Sequence, residues 1–348
     1  MGKITERQCG YGIAAALFLR QSNYLPVTDL KRYIDKLTRL NVASSTVGGV
    51  KREAPYKPAL LLAVLDGVED GSIYDNQILI TPELIAAFKA YCRLLSPGPE
   101  YAACPFHMPF FHLQSSGFWH LQSRAGRELV LTSARSVRSF GHLREVTAYA
   151  YLDAALWKLI LQPAAREEIR QALLARYFPL TRQFFRPRAG QETLDELGRQ
   201  LLEEPAAGYR REVDVTDETE VLVRSAVFGR AVLRAYESTC AVSGLQLLST
   251  TGAAPLLDAC HIVPWSVSHD DAIGNGLALC PNLHRAFDRH LFWVDPDYRV
   301  RITEGFGELS GRAYGVQQFD GRQLQLPKER KWWPKPENLA AQREAGPW

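Results

Sequence analysis

The sequence predicts an α+β protein with two globular domains and a helical connector. Its 348 residues exceed what one hydrophobic core usually holds, and 46% hydrophobic with 23% charged residues is typical of folded protein. Helical spacing prevails in the first half, whereas short extended runs mark the C-terminal third. We place the domains at residues 1–165 and 216–348, and the connector at 166–215.

Apolar spacing and end signals predict the N-terminal helices. "YGIAAALFLRQ" and "VTDLKRYIDKLTRL" have helical periodicity. "YKPALLLAVLDGVEDG" is typical of a buried helix, with Pro58 in its first turn and Gly71 at its stop. Thr81 should cap the next helix, "PELIAAFKAYCRLL", which has Pro82 just inside it. Helices are therefore expected to supply much of this core.

The middle of the chain changes in texture. Residues 104–131 are rich in aromatic and β-prone side chains and predict short extended pieces. "VTAYAYLDAALWKLI" then predicts an apolar helix, and residues 163–215 predict a polar connector of helical fragments. A capped amphipathic helix should follow and end near Cys240.

Composition limits where the protein works and what it binds. We expect a cytoplasmic protein without a membrane partner, because no run of eighteen apolar residues and no secretory signal is found. The six cysteines lack a C-x-x-C pair and predict reduced thiols. Residues 1–165 hold 18 Lys and Arg against 13 Asp and Glu, so this half is the better candidate for holding a polyanion.

One segment, Leu256 to Asp295, holds half of the eight histidines of the chain. The segment predicts a short strand, a loop, "GLALCPNLHRAF" with helical spacing, and a hairpin with Asp-Pro-Asp at its turn. His261 then lies on a strand, Asn275 in a loop and His284 on a helix. Phosphodiester hydrolysis needs a base, a metal ion and rigid placement of both, and neutral imidazole can serve as base or as ligand.

These residues resemble the HNH endonuclease motif, the ββα-metal nuclease fold, with His261, Asn275 and His284 at its three positions. "ACHIVPW", "NGLALC" and "LHRAFDRHLF" agree with its restriction-nuclease branch, over about residues 216–330. The resemblance implies that His261 is the general base, that Asn275 orients it, and that His284 binds Mg²⁺ or Mn²⁺. We expect the rings of His261 and His284 to converge on that ion. His269 and His290 are expected at the surface or beside the ligands.

The segment departs from the family at Cys260, where a metal ligand often precedes the base. Asp258 is our candidate for the missing oxygen ligand of the metal, although strand alternation puts it on the opposite side from His261 unless the strand bulges. Asp288 could be a carboxylate beside the ligands or part of a helix-end salt bridge. A structural Zn²⁺ is a further alternative, because Cys240 and Cys280 fall in the same region.

Two N-terminal stretches, "VKREAPYKPALLL" and "MPFFHLQSSGFWHL", are similar to the sulfur-binding domain that precedes an HNH module in phosphorothioate-dependent restriction enzymes. The likeness covers about residues 1–160 and implies an α/β domain with an apolar cup for the sulfur. The matching positions are Arg52, Tyr56, Lys57, Pro109 and His112, with Arg52 at the rim. Met108 stands where family members have a tyrosine.

Together the resemblances imply a type IV restriction endonuclease that reads phosphorothioated double-stranded DNA and cuts nearby with a divalent metal. A homodimer is expected, because one HNH site hydrolyses one strand. Two alternatives stay open: an HNH nuclease that reads methylated or hydroxymethylated cytosine, and a DNA-binding protein whose nuclease is degenerate. Aromatic side chains could line a pocket for a flipped base, and Cys260 keeps the second alternative open.

Overall fold

The computed structural model describes most of the chain. The described residues are 27–96, 98–101, 103–127, 137, 139–203, 217–246, 256–305, 307–308 and 315–346. The helix predicted from "YGIAAALFLRQ" lies outside them. Within these ranges, no helix combines the length and the apolar character that a membrane span requires. The described elements are helices and four two-stranded antiparallel sheets, which confirms the α+β class.

Helices form most of the N-terminal part. They are α1 (Val27–Leu37), α2 (Tyr56–Asp70), α3 (Pro82–Leu95), α4 (His107–His112), α5 (Phe140–Val146), α6 (Ala154–Leu161) and α7 (Pro163–Tyr177). The strands are β1 (Ser44–Val47) with β2 (Val50–Glu53), and β3 (Trp119–Ser123) with β4 (Thr147–Leu152). α2 is buried along most of its length and packs against α3, α4 and α7.

The end signals of α2 and α3 are confirmed. Gly71 ends α2 at φ 81°, a left-handed conformation that glycine adopts without steric cost. The Thr81 hydroxyl accepts a hydrogen bond of 3.2 Å from the Leu84 amide, and Pro82 occupies the first turn of α3. Both helices therefore begin and end where their sequences predict.

Two predictions in the middle of the chain are wrong. The Pro-Phe-Phe stretch, expected to be extended, is α4, and residues 147–152, expected to start a helix, are β4. Phe110 and Phe111 are buried in α4, so packing decides their conformation over aromatic β propensity. The residues "TAYAYL" form β4, which pairs antiparallel with β3. The helix begins only at Ala154.

The connector packs against the N-terminal part. It contains most of α7 and helix α8 (Ala189–Glu203), and α9 (Glu218–Ala235) follows. The Asp217 carboxylate caps α9 by accepting from the amides of Thr219 (3.0 Å) and Glu220 (3.2 Å). α8 packs on α3 and α9. The segment is thus a layer of the fold and not an extended tether.

The C-terminal part contains two hairpins and short helices. Its elements are β5 (Asp258–His261), α10 (Trp265–Ser268), β6 (Gly276–Leu279), α11 (Pro281–Asp288), β7 (Phe292–Val294), β8 (Val300–Ile302) and α12 (Pro336–Glu344). The predicted β7–β8 hairpin is confirmed. "GLAL" pairs with β5 as β6, however, so the predicted helix begins only at Pro281. All four residues of β6 are buried, and a short apolar run of this kind has no period that separates strand from helix.

Candidate functional site

The β5–β6 hairpin positions the first histidine against α9. His261 pairs with Gly276 across the hairpin, and the imidazole ring stacks on Phe228 of α9 with centroids 3.9 Å apart. A Cβ at Gly276 would lie 2.5 Å from the Val232 side chain, so only glycine permits this close approach. The Asn-Gly pair therefore combines an amide that organises the loop with a residue small enough to pack on α9.

Asn275 is fully buried and organises the loop between the two strands. Its side-chain oxygen accepts from the Val263 amide at 2.9 Å, and its side-chain NH₂ donates to the carbonyls of Val263 at 3.0 Å and Asp270 at 2.9 Å. The Asn275 carbonyl also accepts from the Ile262 amide at 2.8 Å. These bonds fix the backbone directly after His261 and bring residue 270 towards it.

The His261 ring has a carboxylate partner. Nε2 lies 3.0 Å from Oδ1 of Asp271, and the Asp271 side chain is only 4% exposed. The ring itself retains 18% exposure. A buried carboxylate that accepts from Nε2–H leaves Nδ1 as the nitrogen without a proton. The stacking on Phe228 and the bond to Asp271 together fix both the plane and the tautomer of the ring.

The second histidine lies on α11 beside the other face of β5. His284 Nδ1 is 3.1 Å from Oδ2 of Asp258, and Nε2 is 3.4 Å from Oδ2 of Asp288, one helical turn along α11. Cys260 Sγ lies 3.7 Å from Oδ1 of Asp288. Cys260 and His261 are adjacent in β5, so their side chains point to opposite faces. The expected convergence of the His261 and His284 rings on one ion is therefore wrong: His261 contacts Phe228 and Asp271, whereas His284 contacts Asp258 and Asp288.

Cys260, His284 and Asp288 form one group that could hold a metal ion. Their ligand atoms all lie within 4.8 Å of one another, and no other such triad of His, Cys, Asp or Glu occurs in the described ranges. Burial, and then the neighbouring Asp288, raise the pKa of the Cys260 thiol well above its usual range. The thiol is therefore a protonated donor to Asp288, and its sulfur would become a soft ligand only on loss of that proton to a bound ion.

The remaining histidines and cysteines have other partners. His269 forms an edge contact with Trp265, and His290 Nδ1 lies 3.3 Å from the Gln342 amide. Cys240 Sγ accepts from the Cys280 amide at 3.4 Å. Cys240 and Cys280 thus pair with each other, while Cys260 joins His284 and Asp288.

In the N-terminal part, the predicted cup residues occupy neighbouring elements. Lys57 Nζ donates to the Asn41 carbonyl at 2.7 Å and to Ser115 Oγ at 3.4 Å, and Ser115 Oγ donates to the His112 carbonyl at 2.8 Å. Burial lowers the pKa of Lys57. Burial, and then the nearby Lys57 charge, lower the pKa of His112, so its ring favours the neutral form.

Tyr56 and Arg52 both contact Tyr101, a residue that the sequence analysis did not single out. The Tyr56 ring is edge-on to Tyr101 at 5.9 Å, and the Tyr101 hydroxyl donates to the Arg52 carbonyl at 2.7 Å. Burial raises the pKa of Tyr56 to about 12. Pro109 is buried in α4, which packs on α2. Tyr101 thus ties the β1–β2 hairpin to the start of α2.

Sequence reasoning also missed Asp271 and Phe228, the two partners of the His261 ring. Asp271 belongs to the loop "SVSHDDAIGNG", where consecutive acidic residues beside a histidine were the available signal. Phe228 lies in a helix about thirty residues upstream, and its apolar side chain carries no chemical signal. Both contacts depend on the conformation of the loop and the docking of α9.

Residues 240–295 match the family model described as HNH endonuclease. The chain therefore contains an HNH endonuclease domain. Strand β5, the Asn275 turn, strand β6 and helix α11 lie within the matched residues. A comparison with curated proteins finds no match.

Among solved structures, the chain is similar to a modification-dependent TagI restriction endonuclease, with 22% identity, 36% of this chain and 39% of that chain covered, and a TM-score of 0.27. It is also similar to the sulfur-binding domain of ScoMcrA complexed with phosphorothioated DNA, with 19% identity, 46% of this chain and 96% of that chain covered, and a TM-score of 0.36. For the type IV phosphorothioation-dependent restriction endonuclease ScoMcrA, the identity is 12%, the coverage is 73% of this chain and 81% of that chain, and the TM-score is 0.32. The chain spans about two fifths of the length of the TagI endonuclease.

Proposed function

We propose that this protein is a restriction endonuclease that recognises phosphorothioated double-stranded DNA and hydrolyses phosphodiester bonds nearby with a divalent metal. The observation that carries the proposal is the arrangement on β5. The group that could hold a metal, in which Cys260 is buried and Asp288 is exposed, contacts one face of the strand, and a carboxylate-bound imidazole packs on the other. Base and metal-binding group are therefore held by one short, well-packed element.

Each residue of the site has a separate task in the proposal. His261 is the general base, and Asp271 holds its ring and stabilises the imidazolium that forms when it takes a proton from water. Asn275 fixes the loop that carries Asp271. His284 and Asp288 would hold the ion, which supplies positive charge to the scissile phosphate when bound.

Asp258 and Cys260 are the alternatives for the third ligand. Cys260 belongs to the group of ligand atoms within 4.8 Å, whereas Asp258 contacts the other nitrogen of His284 and would orient that ring. An imidazole nitrogen beside a carboxylate oxygen fits Mn²⁺ better than Mg²⁺, which prefers a shell of oxygen atoms, whereas a Cys260 thiolate would select Zn²⁺. We therefore propose Mn²⁺ as the better activator.

For the N-terminal domain, which would recognise the DNA, we propose a sulfur-binding cup formed by Tyr56, Lys57, Pro109 and His112, with Arg52 at its rim. A non-bridging sulfur is larger and less hydrated than oxygen, so a partly buried cup accepts it at a lower desolvation cost. The neutral form favoured by His112 suits contact with such an atom. Lys57 would supply the positive charge that balances the modified phosphate.

Cleavage of one duplex, prepared with a single phosphorothioate, with methylated or hydroxymethylated cytosine, or without modification, tests the proposal. Mn²⁺-dependent cleavage of the phosphorothioated duplex alone is expected, and His261→Ala should abolish it. Preferential cleavage of a duplex with a modified cytosine would instead favour a base reader. Equal, metal-insensitive background from the parent and His261→Ala would identify a degenerate nuclease.

The same cleavage assay would report the oligomeric state. A monomer should produce single-strand nicks, and a dimer should produce double-strand breaks.

A further inference from the structure

A basic groove runs along α1, beside the predicted sulfur cup. It encloses about 630 Å³. Three cationic side chains of α1, a fourth just beyond its end and two hydroxyl groups from the turn after α4 line much of it: Lys31, Arg32, Lys36, Arg39, Ser115 and Ser116. The carboxylate of Asp35 lines it as well. Nothing in the enzymatic proposal uses these residues.

Three of the cations lie on α1, and Arg39 lies two residues beyond its end. Arg32 and Lys36 are four residues apart and therefore lie on about the same face of the helix. From Lys31 to Lys36 the helix rises about 7.5 Å. One strand of duplex DNA presents about two phosphates over that length, and Arg39 extends the row of cations further. The spacing therefore suits a run of phosphates better than one small anion.

Part of this charge is available to a ligand. Arg32 pairs with Asp29 at 3.1 Å, and Lys36 lies 4.0 Å from Asp153. Lys31 and Arg39 are exposed, and no ion pair to either is found in the described part of the chain. Asp35 also lines the groove, so the two exposed cations leave it with a net positive charge for phosphate oxygens.

The groove and the predicted cup share a boundary. Asn41 and Ser115 both line the groove, and both accept hydrogen bonds from Lys57, at 2.7 Å and 3.4 Å. Lys57 is a proposed cup residue. A strand whose modified linkage entered the cup would therefore place its neighbouring phosphates along α1.

We propose that the α1 groove binds the phosphodiester backbone of duplex DNA that flanks the modified linkage. This inference rests on the proposed function and adds to it a division of labour. The cup discriminates sulfur from oxygen, and the groove supplies affinity that is independent of sulfur and sensitive to salt. The ligand class of the groove is the DNA backbone, not the base or the sulfur.

Binding of the full-length protein to one duplex, with and without a phosphorothioate, tests the groove when measured in EDTA across a salt series. The double variant Lys31→Ala/Arg39→Ala should weaken binding to both duplexes equally, by at least tenfold at about 0.1 M salt, where each phosphate contact contributes roughly eightfold relative to 1 M. The slope of log K against log salt should fall by about 2. The preference for sulfur should stay unchanged.

Lys158→Ala/Arg182→Ala is the matched control, because both residues are exposed and lie outside the groove. This double substitution removes the same charge as Lys31→Ala/Arg39→Ala. It should change binding by less than twofold. The proposal for the groove would be wrong if the two double variants weakened binding equally, or if only binding of the phosphorothioated duplex were lost. Tighter binding of a duplex RNA that depends on the same two side chains would reassign it to another ligand. If the parent protein shows no preference for sulfur, the proposed function is wrong. Binding of the unmodified duplex by the parent and the two double variants would still test the groove in that case.

Discussion

Asp271 gives the candidate site its most specific feature at the scale of single residues. Its side chain is 4% exposed and lies 3.0 Å from His261 Nε2, ten residues back in the chain. Burying a carboxylate is costly unless it is hydrogen-bonded, so this placement points to a positioning role for Asp271. It also selects the tautomer that leaves Nδ1 of His261 able to accept a proton.

Asp271→Asn should lower kcat roughly 100-fold and leave KM nearly unchanged, because the amide keeps the shape of the side chain but cannot stabilise an imidazolium. Asp271→Glu should restore part of kcat, since it returns the carboxylate. Steady-state cleavage kinetics of the three proteins, with melting curves as the control for folding, measure this. A parallel rise in KM, or no gain with glutamate, would argue that Asp271 only supports the loop.

The sequence was informative about where the site residues lie and uninformative about their partners. His261 on a strand and His284 on a helix are confirmed, and Asn275 lies in a turn between the strands. Their catalytic roles stay predictions. Asp288 was expected beside the ligands or in a salt bridge, and its carboxylate lies 3.4 Å from His284. The Asp271 contact could not be read from spacing, because it depends on the path of the loop held by Asn275.

At the scale of elements, explicit end signals were the most reliable part of the sequence. Helices α2 and α3 carry such signals, and their positions are confirmed. The errors fall where packing competes with propensity. α4 was mistaken for extended chain, and β4 and β6 for parts of helices. These segments are short and apolar, so tertiary contacts decide their conformation.

Gly190 of α8 records how closely two helices approach. A Cβ at this position would lie 2.4 Å from Cα of Ala87 in α3, a contact with backbone that no side-chain rotation relieves. At Gly198, in the same helix, an added Cβ would meet only the Val227 side chain at 4.0 Å. The two glycines therefore differ in function, although both lie inside α8.

Gly190→Ala should lower the free energy of unfolding by about 1–3 kcal/mol, because α8 must move away from α3. Gly198→Ala should be neutral or stabilising by up to about 1 kcal/mol, since alanine favours a helix and meets no obstruction. Urea denaturation of both variants beside the parent measures the difference. Equal stabilities for the two variants would show that α8 and α3 do not pack as closely as described.

At the scale of the whole molecule, the connector joins the N-terminal part to the nuclease part through direct contacts. α8 packs on α3 and α9, Arg230 of α9 pairs with Glu83 of α3 at 2.8 Å, and α9 carries the phenyl ring beneath His261. The domain limits at 1–165, 166–215 and 216–348 stay a prediction. Contacts between distant segments have no local sequence signal, which explains why the connector could be predicted as helical but not as packed.

The central claim is that β5 presents a metal-binding group on one face and a general base on the other. Binding of Mn²⁺, followed by electron paramagnetic resonance of the full-length protein, tests that division without relying on turnover. His284→Ala and Asp288→Ala should each weaken Mn²⁺ binding at least tenfold. His261→Ala should bind Mn²⁺ as the parent does, while its cleavage is lost.

Loss of Mn²⁺ binding in His261→Ala to the same extent as in His284→Ala would contradict the account, because the strand histidine would then be a ligand and not the base. Unchanged binding in both His284→Ala and Asp288→Ala would contradict it equally, because the ion would then lie elsewhere.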